Sequence, residues 1–506
     1  MGKMRLGLGF LSISGIEVSM SPDKIAVIGA GFSGTLLALH ALRRCPHNTT
    51  VTLIERNRQF GRGQAYATGN PSHLLNVPAG RMSAFHDNPH HFVAWLREHP
   101  QEAAALGVAP GTEEGAFVPR SLFGSYVRSL LNAELKEDER LELVRGDAHD
   151  LCCGPDGRLQ IMLGQGATER VVEADRVVLA TGNFPPAPPP VEDPSFFDTP
   201  FYSPDPWATD ALTGLEPEAP VFLIGTGLTM VDVAVSLLDQ GHHGPIMAVS
   251  RRGLVPLRHG GGALPPLRSS ARQSHPDTEL SPDDAAFPTT INDLLRFLRQ
   301  EAARSIASGE SWQPVVDSLR PFTIDVWQTM PMRDRARFLR HLRPWWDIHR
   351  HRVPPATADR ITDARARGQL RIAAGRIRAF DITDQGEVLI RWRKRGEADL
   401  TSTRAVRVIN CSGPCADYAR IGHPLIRALL DRGSVRPDPL GLGLEVTGNC
   451  ALLDKAGRIS RRLFAVGPIT KGAFWEMTAV PDIRRQAEFV AGHLAALIKA
   501  SPCRAA

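Results

Sequence analysis

Gly29, Gly31 and Gly34 stand in the run Gly29-Ala30-Gly31-Phe32-Ser33-Gly34, directly after the apolar segment Lys24-Ile-Ala-Val-Ile28. This spacing suits phosphate binding. Gly29 permits a tight turn, Gly31 lets backbone approach a pyrophosphate, and Gly34 lets a helix pack closely on a strand. The phosphate would sit on the N-terminus of that helix, where free N–H groups and the dipole favour an anion. The helix is expected over Thr35–Arg44 and a second strand over Val51–Ile54, with Glu55 at its end. Glu55 lies 21 residues past Gly34, placed to accept hydrogen bonds from a ribose diol. An acid there suits an unphosphorylated ribose, as in FAD or NAD.

A second copy lies mid-chain. The strand Val221–Ile224 runs into Gly225-Thr226-Gly227-Leu-Thr-Met230, then a helix over Val231–Gln240 and a strand over Ile246–Val249. Met230 replaces the third glycine, so helix and strand must pack more loosely. Ser250-Arg251-Arg252 follows where the first unit has Glu55. Basic residues there suit a ribose 2′-phosphate, hence NADPH more than NADH; the alternative is a solvated loop. Two such sites in one chain point to a flavin and a nicotinamide.

These motifs need a scaffold of parallel strands buried on both faces. Arg176–Gly182 reads as a further strand ending in Ala-Thr-Gly, and Pro185, Pro186, Pro188, Pro189 and Pro190 follow as a stiff linker. Val406–Gly413 repeats that pattern, and Leu463–Gly467 precedes a helix over Pro481–Lys499. The expected fold is α/β, with two Rossmann-like dinucleotide-binding domains. The FAD domain is discontinuous (23–190 and 401–506), and the NAD(P) domain is inserted (191–269, returning over 356–400). An Arg- and Trp-rich helical insertion occupies 270–355. It contains Pro344-Trp-Trp-Asp-Ile-His-Arg-His-Arg352, in which His349 and His351 are two apart and share a strand face but no helix face. No metal site is expected; packing and anion contact are the readings left open for this stretch.

Composition narrows the classes further. The 506 residues, 42% hydrophobic and 22% charged, exclude a disordered or coiled-coil chain and suit two or three domains. Net charge is +5, and only seven of the 59 basic residues are lysine. These are spread among the acids rather than gathered into a patch, so no nucleic-acid partner is expected. Seven cysteines without a CxxC suggest reduced thiols and a cytoplasmic setting. Residues 1–22 read as a disordered leader, with Met20 as a candidate alternative start. Ile25–Leu42 lacks Asp, Glu, Lys and Arg over 18 residues, but its glycines mark a buried strand, turn and helix rather than a membrane span.

Further motifs carry a family resemblance. They are Phe60-Gly-Arg-Gly-Gln-Ala-Tyr-Ala-Thr68, Leu74-Leu-Asn-Val-Pro-Ala-Gly-Arg-Met-Ser83, Val118-Pro-Arg120, Ala180-Thr-Gly-Asn183, Ser250-Arg-Arg-Gly253, Trp345–Arg352 and Gly472-Ala-Phe-Trp-Glu476. With the two glycine turns, they make the chain, over about 23–497, resemble bacterial FAD/NAD(P)-binding proteins. These are two-dinucleotide-domain flavoproteins related to flavin-dependent monooxygenases. The resemblance implies that Gly29, Gly31, Phe32, Ser33, Gly34, Glu55 and Arg56 hold the FAD pyrophosphate and ribose. It places Gly63, Gln64, Arg81 and Met82 near the flavin, and Thr181 and Gly182 at the domain crossing. Gly467 falls where relatives carry Gly-Asp, but Pro468 replaces the Asp here. Gly225, Thr226, Gly227, Arg251 and Arg252 would take NADPH.

The resemblance implies a single-component monooxygenase that acts through a C4a-(hydro)peroxyflavin on a small molecule with O₂. Two alternatives stay open: an NAD(P)H-dependent reductase or oxidase with another acceptor, and a non-catalytic redox sensor. Disulfide reductases place CxxC or CxxxxC beside the flavin, and neither spacing occurs. Phe197–Trp207 occupies the place of a monooxygenase linker that ends in an aromatic, although it lacks that linker's His. No catalytic acid or base is assigned. His259, His349 and Arg352 are polar candidates for the interdomain cleft.

Overall fold

The computed structural model describes residues 23–164, 169–260 and 287–500. The leader, 270–286 of the insertion and the last six residues lie outside the described residues. The chain starts with β1 (Lys24–Ile28), α1 (Phe32–Arg44) and β2 (Thr50–Glu55). It continues through α2 (Arg120–Glu137) and β3 (Leu141–Arg145). A small antiparallel sheet follows, of β4 (Ala148–Cys153), β5 (Leu159–Leu163) and β6 (Arg170–Ala174), before β7 (Arg176–Leu179). β1 pairs in parallel with β2 on one side and β7 on the other, with Val27 opposite both Leu53 and Val178. α1 begins three residues earlier than expected, because Gly31 itself is the cap and has no side chain to announce it.

The second domain holds β8 (Tyr202–Ser203), β9 (Val221–Ile224), α3 (Leu228–Asp239) and β10 (Ile246–Ser250). The insertion follows; its described helices include α4 (Ile291–Ala307) and α5 (Arg343–Arg350). β11 (Leu370–Ile382), β12 (Val388–Lys394), β13 (Leu400–Ala405) and β14 (Arg407–Asn410) then complete a seven-stranded sheet ordered β13-β12-β11-β10-β9-β14-β8. β13 and β14 therefore belong to the second sheet, past the boundary expected at 401. β14 pairs in parallel with β9, a long-range partnership that local sequence does not announce.

The chain returns with β15 (Ala451–Leu453), β16 (Ile459–Ala465) and α6 (Val480–Ala500). These finish the first sheet as β15-β16-β7-β1-β2-β3. α1 is buried over its whole run Phe32–Leu42, because the sheet covers one face and α6 packs against it elsewhere. The two largest cores, one per nucleotide-binding sheet, lie beneath the two glycine turns. Among the described residues, no helix is long and apolar enough to cross a membrane.

Candidate active site

At the end of β1 the backbone turns at Gly29, with φ +108°. A Cβ there would meet the Ala180 carbonyl oxygen at 2.3 Å, and one on Gly34 would lie 1.9 Å from the Gly29 oxygen. No side chain fits at either place. Gly31 caps α1 in extended backbone, and a Cβ there would touch only Gly63, whose Cα would be 3.4 Å away. Gly63 has φ +62° and belongs to a loop folded onto the turn. The Gly61 amide fixes that loop by donating to the Ala30 carbonyl at 2.9 Å. The Phe60–Thr68 motif thus forms the lid of the glycine turn.

Glu55 stands at the rim. Its Oε2 accepts from the Ala30 amide and its Oε1 from the Asn57 amide, each at 3.0 Å. Each oxygen keeps a second lone pair, so the carboxylate still has acceptor capacity for a diol. Thr181 and Gly182 close the turn from β7, and the Thr181 hydroxyl faces the buried Tyr418 hydroxyl at 3.4 Å. Burial pushes that phenol well above its ordinary range, so it stays protonated.

A cleft of about 340 Å³ opens on these groups. Of the residues singled out from sequence, Gly29, Gly31, Phe32, Ser33, Glu55, Arg56, Gly63, Gln64, Thr181 and Gly182 line it. Its lining also includes Asp147, His423 and Thr478 of the first domain and Asp205, Trp207 and Thr229 of the second. Glycines that leave room for backbone approach, a helix N-terminus and a rim carboxylate fit a dinucleotide such as FAD. Pro468 also lines the cleft.

Several expected residues lie elsewhere. Gly34 serves packing below the turn. Arg81 is exposed, Met82 is buried in the first core, and neither lines the cleft. Gly467 donates its amide to Gln486 Oε1 at 2.7 Å. The three polar candidates are also outside the lining, each held by protein partners. His259 Nε2 bonds the Asn76 carbonyl at 2.9 Å. His349 Nδ1 bonds the Trp345 carbonyl of its own helix at 2.7 Å. Arg352 is paired with Asp317 and donates to Gln313.

The second turn repeats the first. Gly225 has φ +110°, and a Cβ there would meet the Cys411 oxygen at 2.5 Å. Cys411-Ser412-Gly413 therefore closes this turn as Ala180-Thr181-Gly182 closes the first. Gly227 caps α3 with nothing within 4 Å of its absent Cβ. Thr226 and Ser250 hydroxyls bond at 2.8 Å behind it. Arg251 is exposed, whereas Arg252 donates to the His341 carbonyl of the insertion at 3.0 Å.

Polar contacts that local spacing did not indicate join the two domains. Arg120, at the start of α2, pairs with Asp232 of α3 at 2.9 Å and lies 5.9 Å from the Trp207 ring centre. Buried His73 spans the same junction. Its Nδ1 lies 2.8 Å from the Thr68 hydroxyl, and its Nε2 lies 3.1 Å from the Asp232 carbonyl and 2.8 Å from the Ser236 hydroxyl. A carbonyl only accepts, so Nε2 carries the proton. Burial pulls the His73 pKa down, which suits this neutral form. Gln64 reaches Asp205 at 3.3 Å across the cleft mouth. In the sequence, Arg120 is marked only by the motif Val118-Pro-Arg120.

Comparison with known proteins agrees with this geometry. Residues 26–184 match the FAD-NAD(P)-binding family. The mercuric reductase of Acidithiobacillus ferrooxidans is 28% identical over 238 residues, covering 46% of this chain and 38% of the reductase. The chain thus matches well under half of that enzyme's length. In fold, the chain is similar to an ornithine N-hydroxylase of Kutzneria sp. 744 (TM-score 0.62, 13% identity, 94% of this chain and 99% of the other). It is also similar to the L-lysine 6-monooxygenase of Pseudomonas syringae (TM-score 0.59, 14% identity, 95% and 100%). Over residues 26–184 the chain matches an FAD/NAD(P)-binding domain, and its overall fold is similar to that of two-dinucleotide-domain flavoproteins.

Proposed function

With that domain and fold as premise, we propose that the chain is an FAD-dependent oxidoreductase reduced by NADPH, acting as a monooxygenase on a small aliphatic amine. The observation that carries this reading is a continuous cleft lined both by the first glycine turn and by Asp205, Trp207 and Thr229 of the second domain. A nicotinamide held by the second domain would enter the same space as a flavin held by the first. In this reading Gly29, Gly31, Phe32, Ser33 and Gly34 build the pyrophosphate site. Glu55 and Arg56 flank the ribose, and Gly63, Gln64, Thr181 and Gly182 border the cofactor. Gly225, Thr226, Gly227, Arg251 and Arg252 take NADPH.

The bound flavin supplies two-electron acceptance from nicotinamide and activation of O₂. The protein contributes positioning. Arg120, neutralised by Asp232 and stiffened by Leu74, whose carbonyl accepts from its Nε at 3.1 Å, presents a fixed guanidinium to the cleft. Gln64 and Asp205 brace its mouth. No cysteine lines the cleft among the described residues, which favours oxygen over a disulfide as the electron acceptor. The amine class comes from the fold likeness to ornithine and lysine hydroxylases. The partial match to a mercuric reductase supports a second reading, a reductase with another acceptor.

One experiment separates these. Purified flavoprotein is mixed anaerobically with NADPH or NADH, and flavin bleaching is followed. Oxygen uptake and hydroxylated product are then measured with ornithine, lysine and cadaverine. Bleaching by NADPH with product-coupled oxygen uptake is expected. Bleaching with electron delivery to Hg²⁺ or a quinone and no oxygenated product would replace the first reading with the second.

A further inference from the structure

Glu476 has a left-handed backbone, φ +66°, a conformation that favours glycine. Its side chain is buried, with 2% exposure. Oε1 accepts from the Trp346 indole N–H at 2.8 Å, and Oε2 accepts from Arg350 Nε at 3.1 Å. Both donors lie on α5, four residues apart and thus on one helix face. Burial opposes ionisation of Glu476, but Arg350, His351 and Arg320 outweigh it and hold the carboxyl below its usual range. Arg320 itself pairs with Asp482 at 2.6 Å. Beside them, Trp327 donates to the Gly472 carbonyl at 2.8 Å and stacks on Trp475 at 4.8 Å. The Trp345–Arg352 and Gly472–Glu476 motifs thus form one junction between the insertion and the first domain.

The turn at Glu476 leads into α6. Its carbonyl accepts from the Ala479 amide at 3.2 Å, and Thr478 and Ile483 line the cleft. Glycine would serve this turn better if backbone geometry were the only need. The glutamate found there instead gives Trp346 and Arg350 a common acceptor. Buried ion pairs lend specificity of arrangement more than net stability, and removing one partner strands the other's charge.

We propose that Glu476 is a positioning residue, clasped by Arg350 and Trp346, through which the helical insertion sets the Thr478–Ile483 wall of the cleft. The inference about the wall's effect on turnover rests on the FAD reading above; the clasp itself does not.

The test uses the full chain as purified, with variants Glu476→Gln, Arg350→Gln, the double variant and Glu476→Gly. Hydrogen exchange is read over 343–350 and 477–483. Visible circular dichroism of bound flavin and NADPH turnover are read beside it. Each single Gln change is expected to raise exchange in both segments together, alter the flavin dichroism and lower kcat about tenfold with KM for NADPH unchanged. The double variant should be no worse than the poorer single by more than about twofold, because the pair acts as a unit. Glu476→Gly, which relaxes the backbone but deletes the carboxylate, should behave like the Gln variants. Wild-type exchange and dichroism in Glu476→Gly, or additive single effects, would overturn the proposal. If the parent chain holds no FAD, the functional reading fails, while coupled exchange at the two segments still decides the clasp.

Discussion

The two glycine turns of this chain solve one steric problem with different packing beneath. Gly29 and Gly225 share nearly the same φ, and in each the missing Cβ would strike the carbonyl that ends a neighbouring parallel strand, Ala180 or Cys411. The units part at the third position. Gly34 lies so close under the first turn that even a methyl group has no room. Met230 fills the same place in the second unit and is itself fully buried. They also part at the rim, where Glu55 is held by two amides and Arg251 is left to solvent. The turn is fixed by backbone sterics and so recurs. Packing under it and charge at its rim differ between the two units.

That contrast is most sharply tested at the third position. Gly34→Ala should cost about 3 kcal/mol or more, by overpacking against backbone that cannot retreat, and the protein should lose its flavin. Urea unfolding and the flavin-to-protein absorbance ratio check both. Met230→Ala should cost about 2–3 kcal/mol through a cavity, yet leave FAD bound. A yellow, stable Gly34→Ala protein would break the comparison. At the junction of the units, Arg120→Ala strands Asp232 and should lower stability by about 2 kcal/mol. It should also slow anaerobic reduction by NADPH while flavin content holds. At the second rim, Arg251→Ala should raise the KM for NADPH about tenfold and leave NADH unchanged. Arg252→Ala should do less, because that guanidinium already serves the His341 carbonyl. Equal effects on both coenzymes would remove the 2′-phosphate assignment.

The smallest effect near neutral pH is an acid sensitivity that includes the first unit. His40, buried in α1, is lowered by desolvation to about 4. The unfolded chain takes up this proton below about pH 6.5 and the folded chain only near 4, so stability is complete above 6.5 and falls as pH drops. The loss should be under about 1 kcal/mol at pH 6, steepen to a little over ~1 kcal/mol per pH unit near pH 5, and level off through pH 4. Thermal melts of His40→Gln should show a flatter profile over that range; an unchanged profile would exclude His40 as the source.

Both turns were legible in the sequence because their constraint is local: a positive φ and absent Cβ atoms within six residues. Helix starts were misplaced by about three residues, since Gly31 and Gly227 cap without a side-chain hydrogen bond. The boundary at 401 failed for another reason. Only Val406 separates β13 from β14, and the pairing of β14 with β9 is set by distant register. The helical reading of 343–350 holds, and His349 and His351, two apart, share no face of that helix. Its consequential residues are Trp346 and Arg350, one turn apart and meeting Glu476. Thr478, Asp147 and His423 reach the cleft through topology alone, which no local spacing encodes.

The placement of β16 beside β7 bears on how the molecule is made. Leu463 pairs with Val177 and Ala465 with Leu179, so β7 emerges from the ribosome without its outer neighbour. At about 5–20 residues per second, the wait lasts on the order of 15–60 s. Throughout it the second domain can close, while β7 stays an open edge able to pair with other chains. α1 likewise lacks α6 until the end. Pro468 and Thr478, which line the cleft, also arrive with this last segment, so the cleft is complete only late in synthesis.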